Sequence, residues 1–236
     1  MKNPIFLFLF ICFSMTINAQ DIYGSWTSTN INENGVEIKS VLIITKSYHV
    51  MTSYVVDTGK FLSTKGGSWN MDGNRLIETI EFHTENPELV GTDQSFEVKI
   101  EENSFQIPIM EMNFKRIDDG SPGDLNGAWL MSARVKNGEQ QTRDTSLPRK
   151  TMKILSGTRF QWIAYNTETK KFMATGGGTY TTINGKYTET IDFFSKDNSK
   201  VGISLKFDYE LDNSNWHHKG FSSKGDPIDE TWTMRN

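Results

Sequence analysis

Beyond the first twenty residues, apolar side chains recur at every second position in short runs. Val90, Phe96, Val98 and Ile100 fall on one face of a predicted strand with Thr92 and Gln94. Val201, Ile203, Leu205, Phe207, Tyr209 and Leu211 do the same further along. No stretch carries sustained helical periodicity. Turn formers interrupt the runs at Asn32-Glu-Asn-Gly35, Asp57-Thr-Gly59, Met71-Asp-Gly-Asn74 and Asn184-Gly185. That spacing predicts antiparallel hairpins of about eight strands per hundred residues. The fold class is therefore all-β. Eight meandering strands remove their exposed edges by closing into an antiparallel up-and-down barrel, whose interior holds packed side chains or one small ligand.

The chain also repeats itself. Residues 54–96 match residues 165–207 at an offset of 111, with 14 identities in 43 positions where chance gives roughly three. Gly66-Gly67 matches Gly177-Gly178, and Glu78-Thr79-Ile80 matches Glu189-Thr190-Ile191. The starts, Gly24-Ser-Trp26 and Gly127-Ala-Trp129, match at an offset of 103, so the second copy carries eight more residues, expected around Asn137 to Pro148. The ends, Glu111 to Arg116 and Glu230 to Arg235, align at 119, which places a further eight near Asp212 to Asn215. The expected organisation is one barrel over 20–117, a turn-rich linker over 118–123 and a second barrel over 124–236.

Composition adds the compartment and removes several functions. Lys2 followed by the apolar run Ile5 to Phe13 and a small-residue site at Ala19 reads as an export signal cleaved after Ala19, and the protein is expected to be secreted or periplasmic. No later run is apolar enough to span a bilayer, so no integral membrane segment is expected after cleavage. The single cysteine, Cys12, leaves with the leader, and with it any disulfide or thiol chemistry. A net charge of -4 without a basic patch speaks against nucleic acid as a partner.

With Gly24-x-Trp26 and Gly127-x-Trp129 opening each meander and Arg116 and Arg235 in the closing strands, the sequence resembles secreted bacterial lipocalin-like proteins. The resemblance implies two tandem eight-stranded lipocalin-like barrels and export. It also implies that each closing arginine stacks on its first-strand tryptophan and shuts the barrel bottom, a cation–π contact worth roughly 0.5–2 kcal/mol. Copy two has Thr233 where that alignment puts Phe114 in copy one.

Two acids carry the candidate chemistry. Leu76, Glu78, Ile80 and Phe82 share a strand face, as do Tyr187, Glu189, Ile191 and Phe193, so Glu78 and Glu189 are expected to point inward. A buried carboxylate requires a partner. That partner is either a neighbouring tyrosine, with Tyr54 and Tyr165 the candidates, or a polar group of a ligand; a general acid or base role is the third option. Phe61, Ser63, Lys65, Gly67 and Trp69, matched by Phe172, Ala174, Gly176, Gly178 and Tyr180, form a second inward face. Its small residues leave space for a ligand or for side chains of the opposite wall. Gly66-Gly67 and Gly176 to Gly178 read as bulges rather than phosphate loops, since no Lys-Ser/Thr follows.

The candidate ligand-binding set is thus Glu78, Glu189, Tyr54, Tyr165, Phe61, Phe172, Trp69 and Tyr180. No metal site is expected, because His217 and His218 are adjacent and point to opposite faces while His49 and His83 lie in the other copy. No catalytic residue is assigned and no cofactor is expected; the chain is read as non-enzymatic. The expected function is binding of a small, largely apolar molecule in one or both barrels. The alternative is an interaction module with filled barrels that engages a protein or glycan at the cell surface; exposed aromatics would support it, with Trp162, Trp216 and Tyr48 the ones to inspect.

Overall fold

The computed structural model describes residues 22–235; the leader and its expected cleavage site lie outside the described residues. In the N-terminal half the alternation produces β1 (Gly24–Ile31), β2 (Glu37–Ile44), β3 (Tyr48–Val55), β4 (Phe61–Asp72), β5 (Arg75–His83), β6 (Asp93–Glu97), β7 (Lys99–Glu101), β8 (Ser104–Ile107) and β9 (Met112–Asp118). The C-terminal half has β10 (Gly127–Lys136), β11 (Glu139–Thr142), β12 (Arg149–Leu155), β13 (Arg159–Asn166), β14 (Lys171–Ile183), β15 (Lys186–Phe194), β16 (Ser204–Asp212), β17 (Asn215–Phe221) and β18 (Pro227–Met234). The four turn clusters read from the sequence each join two of these strands as a hairpin.

Both halves are antiparallel barrels. In the second, β18 pairs back onto β10 and closes a ring of eight strands, with β11 folded onto β10 as an added flap. In the first, β9 pairs with β1, and the sheet is interrupted only between β6 and β7. Those two strands are consecutive pieces of one chain broken at Val98, whose N–H is given to the Asn74 carbonyl at 2.9 Å. The first barrel is therefore nearly closed. These barrels fit a lipocalin-like fold.

The bulges on either side of β4 and of β14 decide which side chains there face in. Gly66 pairs with Phe82 but Gly67 with Ile80, so Glu81 is the extra residue; Gly177, Phe193, Gly178 and Ile191 repeat this with Asp192 extra. Glycine is required because a Cβ on Gly67 would lie 1.9 Å from the Thr79 carbonyl oxygen, and one on Gly178 equally close to that of Thr190. An added residue reverses the parity of everything beyond it. Glu78 and Glu189 stay inside while Phe82 and Phe193, expected on the same face, turn out through the wall. A second shift, between Ser53 and Tyr54 and between Ala164 and Tyr165, leaves Leu62 and Met173 unpaired and turns Phe61 and Phe172 outward as well.

The residues turned outward build the contact between the barrels. Val41, Ile43, Val50, Tyr54 and Phe82 of the first barrel form one core with Leu130, Met152, Ile154, Ile163, Tyr165 and Phe193 of the second. The contact is approximately two-fold. Tyr54 donates to Asp192 at 3.3 Å and stacks on Phe193, and Tyr165 donates to Glu81 at 2.5 Å and packs against Phe82. Phe61 and Phe172 lie face to face with centroids 5.9 Å apart. Each large apolar side chain buried here contributes roughly 1.5–3 kcal/mol of transfer free energy. The linker is pinned too: Asp118 accepts hydrogen bonds from the hydroxyls of Ser25, Ser156 and Thr158 and the N–H groups of Gly120, Gly157 and Thr158.

The closing arginines part company. Arg116 sits 4.0 Å over the Trp26 ring and donates to the Tyr23 carbonyl, as the resemblance implied. Arg235 does not cover Trp129. The residue paired with Trp129 is Met234, where Trp26 is paired with Arg116, so the closing strands correspond one residue away from the expected alignment. One residue of slip places Arg235 on the outer face. There it forms a two-pronged ion pair with Glu81 and lies 4.0 Å over the Tyr48 ring.

Candidate functional site

The two inward acids meet different partners. In the first barrel, Glu78 on β5 is 2% exposed, with Lys65 Nζ 2.6 Å from Oε1 and His49 Nε2 2.9 Å from Oε2. Burial alone would raise this carboxyl, but the hydrogen bond and charge of His49 and the charge of Lys65 outweigh it and hold it at about 2. The site is closed on itself as a compact ionic cluster.

At the corresponding positions of the second barrel, His49 is replaced by Phe160 and Lys65 by Gly176. The cation comes instead from β12. Lys153 Nζ lies 2.7 Å from Glu189 Oε1, which also accepts the Tyr187 hydroxyl at 2.7 Å. The ammonium sits among the rings of Phe160, Tyr187, Trp216 and Trp232, 5.0–5.8 Å from their centroids. In place of the long Lys65 side chain, Gly176 lets the Trp162 indole pack over it, 2.9 Å from where a Cβ would stand. A cavity of about 410 Å³ opens there, lined by Phe160, Trp162, Phe194, Phe207, Ile228 and Trp232 among apolar residues and by Lys153, Glu189, His218 and Glu230 among polar ones.

The wall carrying His218 and Glu230 is built by a longer hairpin. Trp216 precedes its cross-strand partner Trp232 by 16 positions, whereas Phe105 precedes Phe114 by nine. The second barrel therefore has seven extra residues between Trp216 and Trp232, not eight near Asp212 to Asn215, where the hairpin is as tight as Glu101 to Ser104. The lengthened strands place His218 opposite Glu230, and the turn after Phe221 sends Ser222, Ser223, Lys224 and Asp226 to the cavity. The other eight residues fall where expected, in 137–148, and include β11.

His218 Nε2 is 3.0 Å from Glu230 Oε2, an oxygen that Trp232 Nε1 also reaches at 3.2 Å. Burial pushes the His218 ring below the usual histidine range. Glu230 is pushed up by burial but held below the usual carboxylate range by the hydrogen bond and charge of His218 and the charge of Lys153. The arrangement can orient a polar group at one end of an apolar molecule. Nothing in it forms a nucleophile–base pair of the kind acyl transfer uses.

Of the eight residues chosen from the sequence, Glu189 alone lines this cavity. Glu78 and Trp69 lie inside the first barrel, where the Trp69 indole donates to the Thr45 carbonyl. Tyr180 lies inside the second but donates to the Ser156 carbonyl, away from the cavity lining. Tyr54, Tyr165, Phe61 and Phe172 lie between the barrels, because Tyr54 and Tyr165 share parity with outward Val50 and Ile163, and the bulges turn the two phenylalanines. Neither tyrosine reaches an inward glutamate. Trp216 is fully buried, Trp162 lines the cavity and Tyr48 is covered by Arg235, so these three form no exposed aromatic surface. Lys153, His218 and Glu230 were missed; the extra residues ahead of the closing strand were the one signal for the latter two.

Fold and site thus describe a double antiparallel β-barrel with a cavity in its second half. Residues 124–235 match a family described as a domain of unknown function (DUF4488). No curated protein matches the chain. Among the described residues, no helix is long and apolar enough to cross a membrane.

Proposed function

We propose that the protein is an exported, non-enzymatic lipocalin-like binding protein that holds a small, largely apolar molecule in its second barrel, with the first barrel as its structural partner. The observation that carries this reading is the cavity beside Gly176. Its volume of about 410 Å³ lies in the usual range for small-molecule sites, and its lining is mostly apolar with a few convergent polar groups. The first barrel fills the corresponding position with Lys65 and ties its glutamate into an ion cluster. Export is supported by the charged start, the apolar run from Ile5 and the small residues ending at Ala19.

Native mass spectrometry of the protein purified from its own host, followed by solvent extraction, tests the reading. A stoichiometric co-purifying molecule, or saturable uptake of a hydrophobic dye, is expected. Absence of both sinks it and leaves an interaction role for the outer surfaces.

A further inference from the structure

The polar end of the second barrel's cavity has a stranded acceptor, beside a buried donor, Trp216 Nε1, that is also without a partner among the described residues. His218 is 2% exposed, and its Nδ1 has no hydrogen-bond partner among the described residues. The ring cannot turn to find one. It stacks on Phe207 with centroids 4.7 Å apart and planes within 8°, and meets Trp216 edge to face at 5.1 Å. With Nε2 directed at the Glu230 carboxylate, that nitrogen carries the proton and Nδ1 is a bare acceptor. A buried acceptor left unpaired is destabilising, and a donor brought by a ligand relieves it.

The carboxylates point the same way. Both donors to Glu189, Lys153 and Tyr187, converge on Oε1, and both donors to Glu230, His218 and Trp232, converge on Oε2. Each acid keeps a second oxygen able to accept. Glu189 and Glu230 both face Lys153, with Arg143 a further cation that feels Glu230, in an apolar setting where charge acts strongly. At the mouth, Lys224 and Asp226 offset each other.

We infer that this cavity selects an apolar amine, its protonated nitrogen docking among His218 Nδ1, Glu189 and Glu230 and its apolar body lying against Phe160, Trp162 and Phe194. An ammonium supplies three donors and a positive charge; a hydrocarbon supplies neither, and a carboxylate meets two fixed negative charges. The inference rests on the small-molecule reading above and adds the ligand's charge to it.

Calorimetric titration of the purified protein, freed of co-purifying molecules, with tryptamine, 3-propylindole and indole-3-propionate separates the cases. Tryptamine is expected to bind on the order of 10- to 100-fold more tightly than 3-propylindole, the ratio for a charge-assisted hydrogen bond, with indole-3-propionate weakest. Glu230→Gln is expected to shrink the preference for tryptamine, and circular dichroism checks that this variant folds. Should it not fold, the ranking on the unaltered protein stands as the test. Equal or tighter binding of 3-propylindole or indole-3-propionate overturns the amine assignment while leaving the cavity a small-molecule site. So does dye uptake without binding of any indole. Failure of the dye and all three indoles overturns both readings.

Discussion

Glu78 of the first barrel and Glu189 of the second occupy corresponding strand positions, yet each is held by a cation the other barrel lacks. Lys65 and His49 reach Glu78 from β4 and β3, and Lys153 reaches Glu189 from β12. With the cation on a strand across the barrel rather than on the one beside the acid, Gly176 stands in the cavity wall without a side chain. A shared buried carboxylate therefore serves as a packing element in one barrel and as part of a cavity wall in the other.

The Lys153–Glu189 pair should behave as a buried ion pair. Glu189→Gln removes the ammonium's hydrogen-bonded counter-charge and is expected to cost about 3–5 kcal/mol, read from urea unfolding midpoints. The double variant Lys153→Met with Glu189→Gln is expected to regain most of that loss. A double variant as unstable as the sum of the singles would contradict it.

Glu78 should give the protein an acid-sensitive contribution to stability. Its folded value of about 2 lies below the ordinary value of 4.5, so the contribution is fully present above about pH 5 and is lost as pH falls toward 2. The depression corresponds to something on the order of 3 kcal/mol. Unfolding free energy measured between pH 7 and 2 should therefore fall less steeply in Glu78→Gln than in the unaltered protein, and parallel curves would refute the assignment.

Space beside Gly176 should be necessary for uptake of a ligand. A Cβ there already lies 2.9 Å from the Trp162 indole nitrogen and 3.3 Å from Phe194, both lining the cavity. Gly176→Leu is expected to abolish saturable dye binding while circular dichroism still reports β-structure. Undiminished binding in a folded Gly176→Leu protein would place the ligand elsewhere.

The barrels should unfold as one unit, because their shared core and the Asp118 clamp both bridge them. Asp118→Asn confronts a set of donors with an NH₂ group and is expected to cost roughly 2–4 kcal/mol. Calorimetry should show a single transition for the unaltered protein and a split one for Asp118→Asn combined with Phe172→Ala. Two transitions in the unaltered protein would mean the contact is too weak to couple the barrels.

Much of the architecture was legible in the chain. Alternation from Leu76 to Ile80 and from Tyr187 to Ile191 marked the inward acids, and the turn clusters marked the hairpins. The bulges were readable at Gly66-Gly67 and Gly177-Gly178, but not the parity reversal that carries Phe82, Phe193, Phe61 and Phe172 to the outside. The alignment of Arg116 with Arg235 was one residue from the true correspondence, enough to move a predicted barrel plug to the contact between barrels. His218 reads in the sequence only as a candidate metal ligand, since nothing local pairs it with Glu230.

By itself, the sequence determined strand and turn, and face only within an uninterrupted stretch such as Leu76 to Ile80, because those follow from the period of neighbouring side chains along one stretch of backbone. Only the tertiary structure decided which cation meets each glutamate, where the lengthened hairpin closes, and that a cavity opens beside Glu189. Those outcomes depend on register and closure among strands far apart in the chain, where one inserted residue reverses every contact beyond it.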